Sequence, residues 1–383
     1  MELAKCKLGD LITQRREKND GSALPICGVS KDGLIPPKQI DADTSIYNVF
    51  YRDDFIFNPA RMELNSIAIN DRYDRAICSS LYEVFYVHRT DLLLPHYLKL
   101  IVKRKWFTRY CEFLGQGSAR EYCRFNNISE IEIEFPPIKE QQRIVDYYES
   151  IQRRIALKKQ INDNLAEQCA VDYNLLLDGY TTESEELPNG WEKGSIGSYC
   201  DVKSGFAFKS DWWTTEGYKV IKIANIVNNT IDLDSCDCVI AEHASKANNF
   251  YVQSGDILIA MTGATTGKIG IVPLCDEPIV VNQRVGKFFL GDNPIDKAPF
   301  LYSTLLYSRV VRHLQPDGTA GSAQDNLSAD NIKDVAIVLP ERSIIDTFNK
   351  QHKPHLKMIM SNWAEIRSLK KMAETVLQTL SSR

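Results

Sequence analysis

The residues best suited to chemistry are scattered, and each candidate centre lacks a part. Gly263-Ala264-Thr265-Thr266-Gly267-Lys268-Ile269 suggests a loop that cradles phosphate. Only three residues separate its glycines, however, and Ile269 stands where a magnesium-holding Ser or Thr is needed. Asn58-Pro59 lacks the second proline and the aromatic with which a methyltransferase holds an amine. No Asp/Glu-x-Lys cluster follows a strand as in a nuclease. The ten cysteines are irregularly spaced; Cys236 and Cys238 lack a second pair, and His352 and His355 have no cysteine partner nearby in the sequence. No zinc site is expected from such spacing. No catalytic, cofactor-binding or metal-binding set emerges, and binding without turnover is what this absence fits.

What remains is the chemistry of recognition. Arg and Gln can pair bidentately with guanine and adenine edges, whereas Lys more often settles on phosphate. Lys103-Arg104-Lys105-Trp106-Phe107-Thr108-Arg109 puts four basic residues around Trp106 on an expected helix. Lys103, Arg104 and Arg109 are candidates for contact should the chain bind nucleic acid, with a solvated helix face as the bland alternative. Arg120 and Arg124 occupy a polar loop that leads into a strand. In the second half, Val202–Trp213 combines Lys203 and Lys209 with a glycine turn and aromatics, and Lys268 and Gln283-Arg284 follow strands. Bulk charge does not decide between these readings. The net charge is -4, residues 1–135 carry 19 basic and 19 acidic side chains, and residues 189–340 carry 13 and 17. Any nucleic-acid site is a local patch on a neutral or acidic body.

The elements that must position these residues occur twice. Ile131, Ile133 and Phe135 alternate with Glu130, Glu132 and Glu134, which predicts a half-buried strand. The chain then crosses Pro136-Pro137 into a charged, helix-favouring run. Asn331-Ile332-Lys333 to Asp346 makes the same exit. Gly117-Ser118-Ala119 recurs as Gly321-Ser322-Ala323, Asn127-Ile128 as Asn331-Ile332, and Pro136 as Pro340, all at an offset of 204 residues. A looser match joins Val49–Phe57 to Asn249–Ile259, each with an aromatic start, an Asp turn and an apolar strand. The 383 residues thus read as two half-molecules in tandem.

Each globular half reads as mixed strand and helix, with helices expected over Pro95–Leu114 and Pro299–Leu314. The tails read as long helices. Ile144, Tyr148, Ile151 and Ile155 start an apolar stripe that continues through Leu165, Cys169 and Leu176. Leu356, Ile359, Trp363, Ile366, Ala373, Leu377 and Leu380 follow a cleaner pattern. Such stripes favour a seam between the two helices over packing of each helix on its own domain. Pro354 is expected to kink or start the second helix, near His355. Residues 178–190 are acidic and punctuated by Gly and Pro, which predicts a linker. No apolar signal core opens the chain and no stretch approaches a membrane span, so reduced thiols in a cytoplasm are expected.

With these residues in place, the chain resembles the specificity subunit of a Type I restriction-modification system. The resemblance is carried by Phe135–Val145 (FPPIKEQQRIV), Gly255–Val272 followed by Val281–Phe289, and Tyr51–Ile69. The second exit departs from the pattern, since it keeps Pro340 and Glu341 but has no Gln at the matching place. The family implies an α+β fold with two tandem mixed α/β target-recognition domains, each followed by a long helix, the helices pairing as an antiparallel coiled coil. The expected segments are 1–138 and 190–340 for the readers, 139–178 and 341–383 for the spacer helices, and 179–189 for the linker. A helix of about 38 residues is roughly 57 Å long and a DNA turn roughly 34 Å, so paired helices suit a ruler between two readers. The implied partners are double-stranded DNA, two methyltransferase subunits carrying S-adenosylmethionine and, through them, restriction subunits. The implied target is asymmetric and split by an unread gap. The alternatives are a stand-alone DNA-modifying enzyme and a coiled-coil scaffold for proteins.

Overall fold

The alternating run at the first exit forms strand Glu132–Phe135, with Ile133 and Phe135 buried and the glutamates outside. It pairs antiparallel with Ala4–Lys7, and Lys5 and Lys7 face Glu132 and Glu130 across the surface. The structure, a computed structural model, describes residues 3–37, 39–40, 43–115, 122–315 and 326–380. The two Gly-Ser-Ala landmarks and Arg120 lie outside the described residues.

The rest of the repeat is structural. Helical turns Phe125–Ser129 and Ala329–Lys333 are followed by strands Glu132–Phe135 and Ala336–Leu339 and then by helices Ile138–Leu177 and Arg342–Thr379. In each turn an asparagine oxygen accepts the N–H of the capping residue, Asn127 from Arg124 at 2.9 Å and Asn331 from Ser328 at 3.0 Å. The second exit strand pairs with Glu192–Ser195 as the first does with Ala4–Lys7.

By contacts the chain divides into two compact units, Met1–Arg153 with Lys370–Arg383, and Arg154–Leu369. The first holds two four-stranded sheets, and the second holds sheets of six and five strands. Each unit has a buried carboxylate at its Asp turn, as the looser sequence match suggests. Asp54 accepts the Tyr51 N–H at 2.7 Å and pairs with Arg15, whose Nε lies 2.6 Å from Oδ2. Asp256 accepts the Gln253 N–H at 2.9 Å and pairs with Lys287 at 2.8 Å.

Each long helix also locks onto its own globular half through one buried amide. Gln141 donates to the carbonyls of Leu92 and Pro136, at 2.7 and 2.8 Å, and accepts the Leu94 N–H at 2.9 Å. It thereby caps helix Pro95–Val102 at its start. The second exit lacks that Gln, and Asn349 does the work further along. Its Oδ1 accepts Phe300 N–H at 2.9 Å, at the start of helix Ala298–Leu306, and its Nδ2 donates to Tyr199 Oη at 3.2 Å. Gln141→Leu strands the buried Pro136 carbonyl and removes two part-buried bonds to Leu92 and Leu94, and should cost about 3 kcal/mol in all. Denaturant unfolding of the full chain checks this; a loss below about 1 kcal/mol would dismiss the lock.

Within the second unit the two long helices pair antiparallel. Lys158 Nζ reaches Glu365 at 2.9 Å, Asn362 donates to Asn162 at 2.7 Å, and Tyr173 packs on Phe348 with ring centroids 6.0 Å apart. The expected stripe is partly right. Ile151, Ile155, Cys169, Leu356, Ile359, Ile366 and Ala373 are buried, whereas Ile144 and Trp363 are half-buried. The seam also takes in Asn162, Tyr173 and Asn362, which apolar spacing misses. A buried Asn pair costs stability but fixes the register of two helices.

Two expectations need correction. Pro354 does not start the second helix, which runs through it as Arg342–Thr379. Pro354 and Lys350 are exposed, so the Lys350 carbonyl that loses its partner faces water. Each reader helix is also broken in two. Pro95–Val102 stops before Lys105–Gly115, and Ala298–Leu306 stops at Tyr307, whose extended backbone sets its ring 5.7 Å from Tyr173.

Candidate nucleic-acid interface

In the first unit, the break before Lys105 changes what the basic run can do. Arg104 is buried, its guanidinium lies 5.1 Å from the Trp106 ring centroid, and burial pushes its pKa down to about 10. It is part of the interior and is removed from the exposed set. Lys103 opens onto a cleft of about 740 Å³ that Glu132, Glu134 and Glu374 also line. Lys5 and Lys105 line it too, and Lys5 pairs with Glu132 and Glu134, so the cleft is of mixed charge. Arg109 is exposed on the following helix.

Arg124 is better placed. It is exposed, lies 5.4 Å from the Tyr122 ring centroid and borders a cleft of about 1050 Å³. One wall is hairpin Ile26–Ser30 with Gly33–Ile35, and another is the turn Pro59–Leu64, capped by Asn58. Lys31 and Arg61 join Arg124 there, with Gln39 and Asn58 supplying amides. Glu83, the single carboxylate among the described lining residues, is engaged by the Phe125 N–H at 2.7 Å and sits 3.5 Å from Arg124. Sequence reasoning missed Lys31, Arg61 and Gln39, because no local pattern marks them, and weighed Asn58 only as part of a methyltransferase motif.

In the second unit, backbone hydrogen bonds bring three separated segments to one end of the six-stranded sheet. Gln283 N–H donates to Phe206 O at 2.9 Å, Met261 N–H to Arg284 O at 3.0 Å, and Ala260 N–H to Lys268 O at 2.8 Å. Lys268, Gln283 and Arg284 are exposed at this end. The hydroxyls of Thr262 and Thr265 there have no hydrogen-bond partner among the described residues. Gly267 is required, because its φ is +79° and a Cβ would meet Leu314 O at 2.2 Å. Strand Ile269–Ile271 follows rather than a helix, which disposes of the phosphate-loop reading.

The aromatics of Val202–Trp213 pack on each other, with Phe206 and Trp212 stacked at 6.4 Å. Lys209 flanks Trp212 at 5.5 Å, and the structure adds Lys246 at 4.8 Å over the same ring. Lys203 is held back on its strand by Asp201 at 3.2 Å and the Phe289 ring at 5.1 Å. The result is a cation-and-aromatic surface beside a turn that offers Gln and Arg, the side-chain types suited to phosphate and base edges.

Two tandem globular halves, each leaving through a strand, a proline and a long helix, define a class of two-part α+β protein. Residues 40–167 and 188–353 match the family described as Type I restriction modification DNA specificity domain, and the chain belongs to that family. The Type I restriction enzyme MjaVIII specificity subunit of Methanocaldococcus jannaschii is 27% identical over 221 residues, which are 55% of this chain and 52% of that protein. This chain thus spans about half the length of that relative. The Type I restriction enzyme HindI specificity subunit of Haemophilus influenzae is 20% identical over 366 residues, covering 76% of this chain and 77% of that one. The crystal structure of a Type-I restriction-modification system S subunit from M. genitalium superposes with a TM-score of 0.60 at 16% identity, covering 99% of this chain and 96% of the other. That likeness is one of fold.

Proposed function

We propose that this chain is the non-catalytic, DNA-reading subunit of a Type I restriction-modification assembly. Each half reads a different half-site of an asymmetric target with an unread gap. The observation that carries this is one framework bearing two unlike exposed sets. Lys31, Arg61 and Arg124 border the first reader's cleft, and Lys268, Gln283 and Arg284 crown the second reader's sheet. A shared frame with different recognising groups suits two different base sequences. The chain works in the cytoplasm with two methyltransferase subunits, which bring S-adenosylmethionine and the chemistry, and through them with restriction subunits. Among the described residues no helix is long and apolar enough to cross a membrane.

The test is a map of modified bases in a host expressing the chain with a methyltransferase encoded beside it. An asymmetric, gapped motif should appear only when the chain is present. The same map without the chain, or an ungapped palindrome, would refute the reading.

A further inference from the structure

The sequence places no cysteine near His352 and His355, yet the fold does. Cys169, on the first long helix, lies opposite them, 183 residues from His352 in the chain. Its Sγ is 3.5 Å from His352 Nδ1 and 3.8 Å from His355 Nδ1, and the two nitrogens are 3.0 Å apart. Cys169 and His352 are both 0% exposed, while His355 is half-buried.

Those separations suit a common ligand. A tetrahedral ion about 2.3 Å from sulfur and about 2.0 Å from each nitrogen sets sulfur roughly 3.5 Å from nitrogen and the nitrogens roughly 3.3 Å apart. A second observation points the same way. His352 Nε2, on the far side of the ring, is buried without a hydrogen bond and faces Asp172 Oδ2 at 3.4 Å. A metal-bound imidazole turns its other ring N–H toward a carboxylate in this manner. The ring orientation thus aims Nδ1 at the point where Cys169 and His355 converge.

We propose that Cys169, His352 and His355 form a site for a borderline-soft divalent ion of the zinc type, with Asp172 orienting His352 and solvent as the fourth ligand. One thiolate and two imidazoles select zinc or cobalt over magnesium or calcium, which prefer oxygen. The half-buried His355 leaves a side from which the ion and its water can enter. Because the ligands come from both long helices, the ion clasps the pair, and its binding energy adds to the stability of the folded chain.

The full-length protein, stripped with a chelator, should take up one Zn²⁺ per chain and unfold at a higher temperature once loaded. Co²⁺ in its place should show thiolate-to-cobalt charge-transfer absorption. Cys169→Ser should abolish that absorption, and His355→Gln should weaken it. Asp172→Asn keeps all three ligands and the fold, and should weaken Zn²⁺ binding by about 10–100-fold. If Cys169→Ser fails to fold, His355→Gln and Asp172→Asn still decide the matter. An absent cobalt band, a band that survives Cys169→Ser, or Zn²⁺ affinity unchanged in both other variants would overturn the site.

Discussion

Exchanging residues 189–340 for the matching segment of a relative changes the bases read at one half-site and leaves the other as before. The segment carries its own exit pair, since Ala336–Leu339 and Glu192–Ser195 both lie inside it. It also carries all of the recognising groups assigned to the second reader. It shares a buried apolar core with the long helices, in which Tyr173, Phe348, Leu356 and Ile359 meet Phe300, Leu301 and Ile295, and polar contacts pin the joint. Tyr173 Oη accepts from Thr304 Oγ1 at 3.0 Å, Asn349 holds Phe300, and Arg367 grips Glu277 at 2.8 and 2.9 Å. A donor that keeps the apolar residues of that shared core, Thr304 and an acid at the Glu277 position should therefore seat on the same helices. Each wrongly read base pair costs about 1–3 kcal/mol, so a new half-site of several bases amounts to a change of target rather than a loosening. The map of modified bases is the readout. Altered bases on both sides of the gap would mean that the halves do not read independently, and the two-reader account would be lost.

Lys287→Met should destabilise the second reader by about 3–5 kcal/mol at neutral pH. The methionine keeps most of the stem's volume, so the loss comes from stranding Asp256, which is 1% exposed. Burial already pushes the Asp256 carboxyl above its ordinary range, with Lys287 holding it down. Without the lysine the folded-state value rises further, and the folded protein then binds a proton more readily than the unfolded chain. Stability therefore recovers as pH falls through that raised value, and the deficit is greatest above it. Arg15→Met should act in the same way on Asp54 in the first unit, where burial also raises the carboxyl. Thermal unfolding of each variant between neutral and mildly acidic pH checks both. A deficit that grows as the pH is lowered would show that the stranded carboxylate is not its cause.

The sequence by itself determined the architecture, because its signals are local. Strand alternation at Ile131–Phe135, the Pro-Pro exit and the apolar spacing of the tails each need only a few neighbouring residues to be read. The offset of 204 residues then fixed that the plan occurs twice. The helical exits, the exit strands and the Asp turns all appear where that plan puts them. What only tertiary structure decided depends on residues far apart in the chain. Arg104 looked like a surface cation until packing buried it against Trp106. Pro354 looked like a helix boundary, but its exposed side lets water satisfy the freed carbonyl. Asn162 and Asn362 are polar residues in an apolar seam, where Asn362 donates to Asn162 and accepts from Lys158. Lys31, Arg61 and Arg124 share a cleft, and Cys169 meets His352 and His355, because strands and helices from distant segments were brought together. A side chain's chemistry depends on its burial and its partners, and the fold assigns both.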